Sequence, residues 1–137
     1  MKKLLFVTAL LLFAGVVFGQ TLQKGNLVGV HVLKVELKPG VTMDQYIEFF
    51  NEKTKPAWEK ADKGMKIYPL KAIRGENNNE VGMIVIFKDE AARDKHYNED
   101  GSISEYGQKV QDEIAPITAE GEKLGTWSST YTDWVVL

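Results

Sequence analysis

Three stretches of this sequence predict an α+β fold with the element order β-α-β-β-α-β. The first is Val81-Gly82-Met83-Ile84-Val85-Ile86-Phe87, an uncharged run rich in β-branched side chains, flanked by Glu76-Asn77-Asn78-Asn79-Glu80 and Lys88-Asp89-Glu90. Such a run reads as a strand apolar on both faces, and therefore central in its sheet. The second is Leu27–Lys38, whose apolar residues alternate as in a strand. The third is a pair of segments, beginning near Thr42 and Ser104, whose apolar residues recur at helical spacing. A central strand needs strands beside it and a helical layer over it.

In Leu27–Lys38, Val28, Val30 and Val32 share one face, which continues as Lys34, Glu36 and Lys38. Leu27, His31, Leu33, Val35 and Leu37 share the other. This strand is expected to start buried on both sides and to end with one side in water. Pro39-Gly40 stops it. Thr42 with Gln45 fits a capping box, and Met43, Tyr46, Ile47, Phe50, Ala57 and Ala61 form the apolar stripe of the helix that follows. Asp44, Glu48, Glu52, Lys55 and Glu59 mark its solvated side. Pro56 lacks the N–H that would bond to Glu52, so a kink or split is expected there, and Gly64 is placed as the residue ending the helix.

Met65–Arg74 reads as a second strand, and Pro69 puts it at a sheet edge or bulge. The polar loop 75–80 joins it to Val81–Phe87 as a hairpin. Asp89 caps a short helix over 90–98, and Glu99-Asp100-Gly101-Ser102 breaks it. A longer helix over 104–124 carries Tyr106, Val110, Ile114 and Ile117 on one stripe, with an interruption expected at Pro116 and an end at Gly125. Trp127–Leu137, rich in Thr, Tyr, Trp and Val, is the last strand. The order is the split βαβ, ferredoxin-like arrangement, with helices on one face of a four-stranded antiparallel sheet. The other face is left without cover, and packing it on a second copy of the chain removes the exposed apolar surface.

At 137 residues, 44% hydrophobic and 26% charged, the chain is sized and composed for one globular domain. Met1-Lys2-Lys3, the apolar run Leu4–Phe18 and the small or aliphatic residues before Gln20 have the pattern of a signal peptide over 1–19. The run is shorter than the about 20 residues a membrane span needs. The expectation is an exported protein, periplasmic or extracellular, free of the membrane after cleavage, with one domain over 20–137. Loss of Lys2 and Lys3 takes the net charge from −2 to −4. With no basic stripe, nucleic acid is not an expected partner. The absence of cysteine excludes disulfides, thiol chemistry and thiolate metal sites.

From about residue 26 to 137 the sequence resembles the dimeric α+β barrel superfamily, and within it the small domains related to antibiotic-biosynthesis monooxygenases. The likeness is carried by Leu37-Lys38-Pro39-Gly40, by the capped helix from Thr42, and by Ile86-Phe87-Lys88-Asp89-Glu90-Ala91-Ala92-Arg93-Asp94-Lys95-His96. It implies a homodimer built through the sheet. The superfamily includes cofactor-independent oxygenases of quinol-like aromatics, haem-degrading enzymes, dye-decolourising haem enzymes and proteins of no known activity, so fold does not decide function. The haem-degrading Asn, Trp, His triad has no counterpart here. Phe87 stands where tryptophan is sought, 104–124 lacks histidine, and the first strand offers His31 instead of asparagine. No cofactor is expected.

His31 and His96 are the candidate catalytic residues, since histidine titrates near neutrality. Each also admits a structural role, His31 as a core-edge ring bonded to a carbonyl and His96 as a charge meeting a helix C-terminus. Tyr46, Phe50, Trp58, Tyr68, Trp127 and Tyr131, with Trp134, could line a pocket for a flat apolar ligand or fill a core or dimer interface. Residues 96–107 resemble part of a calcium loop but place His96 and Gly107 where carboxylates are required. An Asp-Gly turn between two helices accounts for them, and no metal is expected. Three functions follow: an exported dimer binding a small apolar or aromatic molecule, a cofactor-independent monooxygenase- or isomerase-like enzyme using His31 or His96, and a structural or interaction protein.

Overall fold

The computed structural model describes residues 22–76 and 80–137. The expected signal peptide and the three asparagines of the hairpin loop lie outside the described residues. The elements are β1 (Leu27–Leu37), α1 (Met43–Phe49), α2 (Lys55–Ala61), β2 (Met65–Lys71), β3 (Val81–Phe87), α3 (Glu90–Asp94), α4 (Glu105–Gly121) and β4 (Gly125–Val135). The strands form one antiparallel sheet in the order β2-β3-β1-β4. This is the ferredoxin-like arrangement: β3 is internal, and Pro69 sits in the edge strand β2.

Side chains alternate across a strand, so the register sorts them into two faces. Leu27, Gly29, His31 and Leu33 of β1 lie opposite Phe87, Val85, Met83 and Val81 of β3. On the same face, Met65 and Ile67 of β2 and Trp127, Tyr131 and Asp133 of β4 complete the row. Helices cover this face. The packed core lies toward the β2–β3 half, where Met65, Ile67, Met83 and Val85 are buried against Leu33, Phe50, Trp58 and Phe87.

Among the described residues, the opposite face carries no helix. An apolar stripe crosses it, from Tyr68 and Leu70 of β2 through Ile84 and Ile86 of β3 and Val28 and Val30 of β1 to Trp134 of β4. Tyr68, Leu70, Val30 and Trp134 are exposed, and Ile84 and Ile86 are half-buried. The expectation that β3 is buried on both faces therefore holds on the helix side only. Val30, read as buried, is exposed for the same reason: the described residues supply cover for one face.

The first helical region is divided ahead of Pro56. Thr42 Oγ1 accepts from the Gln45 amide and the Gln45 side chain accepts from the Thr42 amide, completing the capping box. A π-helical turn over Phe50–Thr54 then precedes α2, and Pro56 falls in the first turn of α2. The widened turn accommodates a residue that donates no hydrogen bond, and it splits the regular helix into α1 and α2, as expected for Pro56. Glu59 is not a solvated charge: its Oε1 accepts from the Ile67 amide at 2.9 Å, satisfying an outward N–H of the edge strand. The helix ends at Ala61, and Asp62 rather than Gly64 forms its C-cap in extended conformation.

α3 stops at Asp94, earlier than expected, although Asp89 caps it through the Ala92 amide. Tyr97 then bridges to Ile103 around a turn in which Gly101 has φ 82°. Asp100 Oδ1 accepts from both the amide and hydroxyl of Ser102, which holds the exposed carboxyl below its usual pKa. α4 runs unbroken through Pro116 and ends at Gly121, so neither the interruption nor the end at Gly125 holds. Gly125 instead opens β4, where a Cβ would stand 2.9 Å from the Glu36 carbonyl oxygen across the sheet.

Candidate functional site

α4 packs chiefly on α2 and the π-helical turn, more than on any strand. Its buried residues are Gly107, Val110 and Ile114. Held at that remove, the helical layer leaves a space of about 550 Å³ above the helix-side face of the sheet. No large side chain among the described residues is fully buried, in keeping with an interior that is not filled. Protein cores are normally packed without voids of this size, whereas small-molecule sites have volumes of this order.

The walls are mostly apolar. Phe50 and Trp58 from the first helical region, Met65 and Ile67 from β2, Met83, Val85 and Phe87 from β3, and Trp127 from β4 line it. Tyr46 also faces the space, and burial raises its pKa. Of the aromatic residues expected there, Tyr46, Phe50, Trp58, Trp127 and Tyr131 border the cavity. Tyr68 does not. Its register partner is Ile84, which puts it on the open face, where Lys55 Nζ lies 5.6 Å from its ring centre. Trp134 is on the open face as well, paired with Val28.

Two polar groups interrupt the apolar wall. In the first, the rings of His31 and Tyr131, cross-strand neighbours, stack at 5.1 Å with 20° between planes. His31 Nδ1 is 3.4 Å from Ser129 Oγ. Arg93, reaching over from α3, places Nη2 at 3.5 Å from Tyr131 Oη and Nε at 3.6 Å from Asp133 Oδ2. Its guanidinium lies 4.7 Å over the Tyr97 ring and bonds to Asp94. Gly29 forms the floor here: a Cβ would stand 3.0 Å from Asp133 Oδ1 and 3.2 Å from His31 Nε2. A residue without a side chain thus keeps a slot open between a ring nitrogen and a carboxylate.

Burial lowers the pKa of His31, and the charge of Asp133 offsets part of that shift. A histidine whose folded pKa lies below its unfolded value of about 6.5 leaves stability untouched above that value. As pH falls below it, the unfolded chain takes up the proton first and stability declines, levelling off once the folded ring is also charged. His31→Gln is expected to flatten the urea-unfolding free energy in that window and to leave it unchanged above neutrality.

The second polar group is a pair buried behind the wall. His96 Nε2 lies 2.8 Å from Asp62 Oδ2, and both residues are buried. A carboxylate only accepts, so the ring proton sits on Nε2. Asp62 Oδ1 accepts from the Gly64 amide at 2.7 Å. Phe87 and Tyr106 pack edge-on to the His96 ring, with centres 5.8 and 5.2 Å away. Tyr106 has its pKa raised, by burial first and then by Asp62. His96 borders the interior cavity, whereas Asp62 borders a shallow outer cleft with Lys60, Lys63 and Lys95. His96 therefore meets a buried carboxylate, not merely a helix end.

The fold brings His31 and His96 to the same cavity on different elements, and adds Asp62, Arg93 and Asp133, which sequence reasoning missed. None of these three has a spacing that marks it. The signal available was indirect: Asp133 alternates in register with Tyr131, and Asp62 follows a helix whose stop was assigned to Gly64. Among the described residues, no group of three or more His, Asp or Glu is placed to hold a metal.

No family model matches the chain, and no curated protein shows significant similarity to it. Solved structures do. The chain is similar to a mutant of SnoaB, a cofactor-independent oxygenase from Streptomyces nogalater, at 14% identity and TM-score 0.45, covering 79% of this chain and 91% of that one. It is similar to a dimeric ferredoxin-like protein of unknown function from Bacteroides fragilis, at 10% identity and TM-score 0.40, covering 82% and 98%. A third, a dimeric ferredoxin-like protein of unknown function from Thermobifida fusca, is 14% identical with TM-score 0.43, covering 85% and 96%. The fold assignment itself rests on strand order and register.

Proposed function

We propose that the protein is an exported, dimeric binder of a small flat aromatic molecule that carries a polar edge. The cavity of about 550 Å³ is the observation behind this reading, because its walls are apolar and aromatic while His31, Tyr131, Arg93 and Asp133 converge on one side. An apolar body would displace water from Phe50, Trp58 and Met83, and a polar edge would take the slot over Gly29. Dimer formation would cover the stripe through Tyr68, Ile84, Val30 and Trp134, which one chain leaves in water. Export rests on the leader pattern of residues 1–19.

Trp58 and Trp127 border the cavity and report on it. Umbelliferone, a flat bicyclic phenol, is expected to quench tryptophan fluorescence saturably. Gly29→Ala puts a methyl group between His31 and Asp133 and is expected to weaken binding about ten-fold, from the 1–3 kcal/mol typical of overpacking. Quenching that does not saturate, or affinity unchanged by Gly29→Ala, would count against this cavity as the binding site.

A second reading is favoured by the Asp62–His96 pair at the cavity wall. A histidine oriented by a buried carboxylate is the arrangement that proton-transfer chemistry uses, as expected for a cofactor-independent oxygenase- or isomerase-like enzyme.

A further inference from the structure

We propose that His96, held by Asp62, is the group that takes a proton from the bound molecule, so that the cavity selects molecules with an acidic hydroxyl and holds them as their anions. The inference rests on the binding reading above and adds to it the ionisation state of the ligand and the residue that sets it.

The geometry argues as follows. Nε2–H of His96 donates a hydrogen bond to Asp62 Oδ2 at 2.8 Å, which leaves Nδ1 as the basic nitrogen. Nδ1 has no hydrogen-bond partner among the described residues, although no fully enclosed side-chain nitrogen or oxygen there is left unpaired. It therefore keeps accessible surface, and His96 lines the interior cavity. Proton transfer breaks the ligand O–H bond and leaves its electron pair on the ligand oxygen. The proton bonds to Nδ1, and the resulting imidazolium remains paired with the Asp62 carboxylate. A buried imidazolium without such a partner is unfavourable.

His31 is the competing base. Its surroundings differ: a neutral Ser129 hydroxyl lies near Nδ1, the Tyr131 ring covers one face, and the neighbouring Asp133 is already engaged by Arg93. A carboxylate bonded directly to the ring is found only at His96 among the described residues.

The test uses the full chain and umbelliferone, whose anion absorbs at longer wavelength than its neutral form, at a pH where the free probe is mostly neutral. The bound probe is expected to show the anion band. With nitrogen-15 in its two histidines, the protein should show imidazolium shifts for His96, and not for His31, when the probe binds. Asp62→Asn keeps the shape of the pair and removes its charge, and should lower the anionic fraction of bound probe on the order of ten-fold. The two wild-type measurements stand even where that variant does not fold. Saturable binding of the neutral probe overturns the role of His96 and leaves the binding reading intact, as does an imidazolium signal at His31. Absence of any binding overturns both.

Discussion

His96→Ala is expected to lower the free energy of unfolding by about 3–5 kcal/mol, the cost of leaving a buried carboxylate without its partner. Asp62 is buried and has the His96 ring and the Gly64 amide as its hydrogen-bond partners. Without the ring, Oδ2 loses the His96 partner inside a buried, half-empty site. The pair also links two distant parts of the chain, the cap of α2 and the segment after α3, so its loss loosens the wall of the cavity. A double variant, His96→Leu with Asp62→Leu, removes the charge along with its partner and is expected to recover much of the loss. Urea denaturation of the two single and one double variants measures the coupling. Additive effects would show that the contact contributes nothing of its own.

Gly107→Ala is expected to destabilise by about 1–3 kcal/mol, in spite of alanine being the better helix former by about 1 kcal/mol. Gly107 lies in the first turn of α4, its amide donating to Ser104 Oγ at 3.0 Å. A Cβ there would press on the carbonyl oxygen of His96, a backbone atom, and stand 2.9 Å from Ile103 Cγ1. That carbonyl also accepts from the Ser104 amide at 3.0 Å. Backbone cannot swing aside as a side-chain tip can, so the turn before α4 must move and carry His96 with it. Thermal unfolding should show the loss, and an unchanged or higher midpoint would mean the segment after α3 yields freely. Helix propensity wins in that case.

Much of the fold was legible because the signals were local. The uncharged run Val81–Phe87, the capping box at Thr42 and Gln45, and Pro69 in an edge strand each act within a few residues, and strand order followed from the element order. One error comes from local compensation: Pro116 sits within α4 on an exposed position, where a lost hydrogen bond is replaced by solvent. That is not visible in periodicity. Tyr68 was placed in the pocket because aromatic content says nothing about which face a strand residue takes, and the register with Ile84 decides against it. The Asp62–His96 pair was illegible for a different reason. It joins residues far apart in sequence, and its partners look like an ordinary helix end and an ordinary polar turn.

Native mass spectrometry of the protein, expressed with its own leader and purified gently, tests the central claim most directly. The account predicts a dimer that carries, or takes up from umbelliferone, one discrete small-molecule mass per chain. A monomer that stays free of added mass across saturating probe concentrations would contradict it, because both the covered sheet face and the occupied cavity would then be missing.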